Sequence, residues 1–241
     1  MLLEICANSY RSAKCAEKAG AHRIELCSEL AIGGITPSFG LIKKVIDTLK
    51  IPVFVLIRPR SGNFTFSDDE FDIMKNDIEQ CKILGCHGIV SGVLNKNNTI
   101  DVERTKVLID LAKPLPFTFH RAFDWIENPY EAIKQLLDLG AERVLTSGQE
   151  TTAEKGIELL EELKENTNNK IIILPGGGIN AENASMFKGA GFNEIHCSAS
   201  TKNLVIETPK IPMNSASFFD ERIEAFSDSE KISKIIKALN R

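Results

Sequence analysis

One repeat of form constrains this chain more than any single motif. A short run rich in β-formers, a polar or glycine-containing loop and a longer amphipathic segment recur with a period of roughly 25–35 residues. The strand candidates are 2–8, 23–29, 53–60, 88–94, 116–124, 143–149, 170–175 and 194–200. Helix candidates lie at 10–19, 39–49, 68–84, 102–112, 129–139, 153–164, 181–188 and 229–239. Ser67 and Glu70 form a capping box, and Thr36-Pro37 reads as an N-cap followed by proline at the first helical position. Eight β–α pairs in 241 residues predict an α/β chain folded as one (β/α)8 TIM barrel. A doubly wound open sheet is the second choice. Only 201–228, with Pro209 and Pro212, breaks the rhythm, and it is expected as a surface excursion before the last helix.

Composition narrows the function classes. The chain is 43% hydrophobic and 26% charged, an ordinary globular balance. A net charge of -4 argues against a nucleic-acid partner. No stretch approaches the roughly 18 apolar residues of a membrane span, so no membrane partner is expected. The first residues, MLLEICANSY, lack a charged leader, and the six cysteines are scattered. These features predict a cytoplasmic protein with free thiols.

The barrel assigns the strand faces with period two. Leu3, Ile5, Ala7, Ile24 and Leu26 face helices, while Glu4, Cys6, Asn8, Glu25, Cys27 and Glu29 face inward. By the same count Phe54, Leu56, Arg58, Arg60, Thr118, His120, Asp124, His196, Ser198 and Ser200 also face inward. A polar interior near the mouth of such a barrel marks a site, or else a structural ion-pair network in which Arg58 neutralises Glu25. His120, oriented by Asp124, with Glu25 or Glu29, is a candidate for acid–base work. Arg58 and Arg60 would orient a negative charge.

Leu174-Pro-Gly-Gly-Gly-Ile179 ends a strand and opens a helix. Amides at Gly176, Gly177 and Gly178, with Ser147, Gly148 and Ser198, could hold an anion, or the glycines could serve only a tight turn. Together these groups point to an enzyme acting on a small anionic or phosphorylated metabolite, in an isomerase-, lyase- or aldolase-like step. No inward lysine is evident, which disfavours a Schiff base. Cys6 and Cys27 have the same chain spacing as Glu4 and Glu25, so they sit at equivalent points of adjacent strands. Two thiols there are either ligands for a soft ion such as Cu(I) or small buried hydrophobes.

Several segments taken in order carry a resemblance: Leu3-Glu-Ile-Cys6, Arg23-Ile-Glu-Leu-Cys27 and Gly33-Gly-Ile-Thr-Pro-Ser38. Ile57-Arg-Pro-Arg60, Phe119-His-Arg-Ala-Phe-Asp124, Leu145-Thr-Ser-Gly148 and the triple-glycine segment complete it. Together they resemble the CutC family, named for copper homeostasis, from residue 2 to about 200. The resemblance implies a cytoplasmic (β/α)8 barrel that forms a homo-oligomer, a dimer or tetramer. It also implies a copper ion, Cu(I), at Cys6 and Cys27.

Overall fold

The structure is a computed structural model that describes residues 1–204, 211, 213 and 220–240. Eight parallel strands alternate with helices: β1 (Leu2–Ala7), β2 (Arg23–Leu26), β3 (Val53–Leu56), β4 (Gly88–Ser91), β5 (Phe117–Phe119), β6 (Arg143–Thr146), β7 (Ile172–Pro175) and β8 (Glu194–Cys197). The intervening helices are α1 (Tyr10–Lys18), α2 (Phe39–Ile46), α3 (Asp68–Ile83), α4 (Val102–Ala112), α5 (Pro129–Leu139), α6 (Ile157–Asn166) and α7 (Ala184–Gly189), and α8 (Ser229–Leu239) comes after the barrel. β1 pairs with β2 on one side and β8 on the other. A bridge between Gly176 and His196 joins the β7 and β8 edges. That ring excludes the open sheet and establishes the (β/α)8 barrel.

The helices begin where local chemistry directs. Ser67 accepts from the Glu70 amide while the Glu70 carboxylate accepts from the Ser67 amide, so the capping box starts α3. Asn128 caps α5 with Pro129 at its first position, and Gly140 ends it at φ 89°. The start of α2 differs from expectation. Ser38 is the cap, and the Thr36 hydroxyl instead accepts from the Arg58 amide, tying the loop after β2 to the end of β3.

Burial separates two apolar regions. The larger lies between strands and helices and includes Leu3, Ile5, Ile24, Leu26, Val53, Val55 and Phe119. The smaller lies inside the barrel and holds only Cys6, Cys27, Phe54, Leu56 and Val90, with Leu30 against it. The alternation read from the sequence is this division. Leu145 lines the same interior nearer the mouth, and with few other apolar side chains inside, much of what remains is polar.

Beyond β8 the chain leaves the barrel. Ala199 takes a left-handed φ of 43°, and Ser200–Leu204 (β9) pairs antiparallel with Ile223–Ser227 (β10). Ser200, expected inward, therefore belongs to this hairpin. Asn8 donates to the Ala225 carbonyl and the Ser227 amide donates to Ser12, so the hairpin packs on the start of α1. Pro209 and Pro212, singled out within the excursion, lie outside the described residues. Among the described residues no helix is long and apolar enough to cross a membrane.

Candidate functional site

The barrel interior is built in three storeys. At the floor, Arg23 pairs with Glu4 and with Glu194, and Arg143 lies 3.3 Å from Glu194. The Phe54 ring sits under both guanidinium groups, 4.6 Å from Arg23 and 5.1 Å from Arg143. Buried charges persist when paired, and this network pairs each of them, although Arg143 Nε and Nη1 have no hydrogen-bond partner among the described residues. Arg23, Arg143 and Glu194 did not emerge as interior residues from the sequence. They stand two positions before Glu25, Leu145 and His196, so the period of two carried back to each strand start finds them.

In the middle storey His196 Nδ1 lies 2.7 Å from Glu4 Oε1. Burial alone would raise the Glu4 carboxyl, but the His196 hydrogen bond and the Arg23 charge outweigh it and hold the group at about 2. Burial likewise pushes the His196 imidazole down. Hydrogen bonds to Cys6 and Glu4 and the charges of Glu25 and Glu4 reverse this, so it stays protonated well above its usual range. Cys6 Sγ lies 3.6 Å from Cys27 Sγ and 3.8 Å from a Glu25 oxygen. Shared hydrogen bonding with Cys27, then burial, raises the Cys6 thiol. Burial lifts Glu25 to about 7, and its Oε2 has no hydrogen-bond partner among the described residues. Ligand atoms of Cys6, Glu25 and His196 all fall within 4.8 Å of one another, a group able to hold a metal ion.

The top storey is a cavity of about 320 Å³ at the C-terminal mouth, lined by Cys6, Glu25 and His196 below and by Arg58, His120, Gly177, Gly178 and Ser198 above. Arg58 is buried, but it does not neutralise Glu25. Its guanidinium donates to the carbonyls of Ile32, Gly34 and Gly62 at 3.1, 2.9 and 2.7 Å. His120 is not oriented by Asp124 either, because β5 ends at Phe119 and a 3-10 turn, Arg121–Trp125, redirects the chain from there. The Asp124 carboxylate accepts from Thr146 at 2.5 Å, the Ser147 amide at 3.0 Å and Arg121 at 2.7 Å. His120 Nδ1 accepts from the Ala122 amide at 3.2 Å. Burial, then the charge of Arg58, lowers the imidazole to about 3, so it is neutral at physiological pH.

Other expected members sit elsewhere. Glu29 takes a left-handed φ of 53° at the start of a 3-10 turn and is exposed rather than inward. Arg60 pairs with Glu70 at 2.5 Å and donates to the Ser61 and Thr65 carbonyls, pinning its own loop. Ser147 is consumed by Asp124 and the Glu150 carbonyl. Gly148 and Gly156 pack backbone to backbone: a Cβ at Gly148 would lie 2.3 Å from the Gly156 carbonyl oxygen. A Cβ at Gly176 would lie 2.5 Å from Leu145, so this glycine serves close packing inside the barrel, while Gly177 and Gly178 reach the cavity.

Fold and interior together define a class: a (β/α)8 barrel with sulfur, carboxylate and imidazole donors gathered beneath its mouth. Within that class, the model of the CutC family matches residues 1–201, and the chain belongs to that family. It is 47% identical over 199 residues to the human "Copper homeostasis protein cutC homolog", covering 82% of this chain and 73% of the human one. It is 42% identical over 240 residues to a family protein CutC of Parabacteroides distasonis, covering 98% and 99%. The crystal structure of CutC from Streptococcus agalactiae superposes with a TM-score of 0.78 at 38% identity, covering 82% of this chain and 98% of that one.

Proposed function

We propose that this protein binds Cu(I) inside its barrel as part of copper handling, through thiolates of Cys6 and Cys27, with His196 as a third donor and Glu25 alongside. The observation that carries the reading is the convergence of two buried sulfurs 3.6 Å apart with the imidazole and carboxylate around Cys6. Thiolates are soft donors that select Cu(I). With metal–thiolate bonds of about 2.3 Å, a linear S–metal–S unit spans about 4.6 Å, so sulfurs this close favour a bent pair completed by another ligand. Glu4 supports that role for His196: it grips Nδ1 and leaves Nε2 to face the cluster, as carboxylates behind metal-bound histidines do. All six cysteines are free, as a reducing cytoplasm would keep them.

Anaerobic titration with Cu(I) against a competing chelator tests the site. Cys6→Ser/Cys27→Ser is expected to weaken binding by more than about 100-fold, and Glu4→Gln by about 10- to 100-fold. A double variant that holds Cu(I) as tightly as the wild type removes the site.

A further inference from the structure

Arg58 is a buried cation without a counter-ion among the described residues. It is 5% exposed, and no described carboxylate lies within ion-pair range, since Arg60 takes Glu70 and Arg121 takes Asp124. The three carbonyls on its terminal nitrogens satisfy hydrogens but carry no charge. Two donors remain on adjacent nitrogens, Nε–H and one on Nη2, and Nε has no partner. Adjacent guanidinium donors take carboxylate oxygens as a bidentate pair.

His120 presents the same demand independently. Because Nδ1 accepts from the Ala122 amide, the proton of the neutral ring resides on Nε2, and that buried N–H also lacks an acceptor. A buried donor left unmade costs free energy that an acceptor would recover. Both pack against one ring: the Arg58 guanidinium lies 4.9 Å from the Phe64 centroid, and the His120 ring 4.9 Å from it. Both line the mouth cavity, whose volume is at the lower end of the range for organic-ligand sites.

We propose that the mouth cavity binds a small organic carboxylate that opens two covered donors, Arg58 Nε–H and His120 Nε2–H, and is held by them, its carbon skeleton against Leu30, Leu56 and Leu145. This site does not rest on the copper reading, because neither anion-holding residue belongs to the thiol cluster. It also recasts His120 as a hydrogen-bond donor, where the sequence offers a general acid or base.

The protein carries its own reporter. Trp125, the only tryptophan, stands edge-on to Phe64 at 5.0 Å. Its fluorescence is followed while pyruvate, succinate or 2-oxoglutarate is added, each beside its own amide, with inorganic phosphate as a further probe. At least one carboxylate is expected to saturate with Kd below about 1 mM and to exceed its amide by about 10-fold or more. His120→Asn keeps an acceptor for the Ala122 amide, loses Nε2–H, and is expected to weaken that carboxylate about 10-fold. Arg58→Gln is expected to weaken it further. Arg58 also ties the loops of Ile32, Gly34 and Gly62, so His120→Asn and the wild-type amide comparison carry the test if Arg58→Gln fails to fold. No carboxylate bound below about 1 mM, equal affinity for acid and amide, or tighter binding of phosphate than of any carboxylate overturns the proposal.

Discussion

Two interior glutamates, Glu4 and Glu25, show how neighbours decide what a buried carboxyl does. Glu4 has Arg23 and His196 as partners and is held at about 2, below the usual 4.5. A lowered folded value contributes stability that is present above pH 4.5 and is lost as pH falls from there towards 2. Glu4→Gln leaves buried Arg23 short of a counter-charge, and chemical denaturation at pH 7 is expected to show a loss of about 3–5 kcal/mol. The gap between variant and wild type should shrink below pH 4.5. Glu25 has no cation bonded to it and is raised to about 7, so the sign reverses. Its contribution is intact below pH 4.5 and is lost as pH rises through 7, where folding must bury a charged carboxylate. Glu25→Gln is therefore expected to stabilise the protein by about 1–3 kcal/mol at pH 8 and to match wild type at pH 4. A constant difference across that range would show that Glu25 is not the titrating group.

At the scale of elements, backbone proximity after β6 sets a sharper constraint than any helix propensity. Gly148 has φ 68° and its backbone touches that of Gly156 at the start of α6, so Gly148→Ala is both strained and overpacked. A loss of about 2–4 kcal/mol is expected. Gly40, inside α2, has nothing within 4 Å of a Cβ, and Gly40→Ala is expected to gain about 0.5–1 kcal/mol. Denaturant midpoints at unchanged m-values check both. The same elements mark where the sequence was legible. Period two placed Glu4, Cys6, Glu25 and His196 on the interior correctly, because within a strand the pleat enforces it, and it still held for Cys27 and His120, one residue past the ends of β2 and β5. It failed at Glu29, Arg60 and Asp124, each beyond the end of a strand only three or four residues long. There the chain has already turned, through a left-handed residue at Glu29 and a 3-10 turn at Asp124, and alternation no longer fixes direction. Arg58 escaped that failure in placement only: it is buried at the mouth, but its partners are loop carbonyls that no strand pattern encodes.

At the scale of the molecule, closure of the ring through β1 and β8 brings together residues from opposite ends of the chain, Glu4 and Cys6 with His196. An open sheet would leave those edges apart, so the cluster exists only in the folded barrel. Any metal it binds is therefore a ligand of the native state and stabilises it by mass action, about 2.7 kcal/mol when free metal is 100-fold above Kd. The protonation states give this linkage a direction. Cys6 is held as a thiol and His196 as an imidazolium, so a metal that takes both must displace their protons. Affinity for Cu(I) should then rise with pH between 6 and 8, and the thermal midpoint gained from Cu(I) should rise with it. Calorimetry under reducing, anaerobic conditions at several pH values measures this. The Cys6→Ser/Cys27→Ser variant serves as the baseline, expected to show no Cu(I)-dependent gain at any pH. A gain in the wild type that is flat across pH would mean that Cu(I) is held by groups already deprotonated, and so not by the Cys6–His196 cluster.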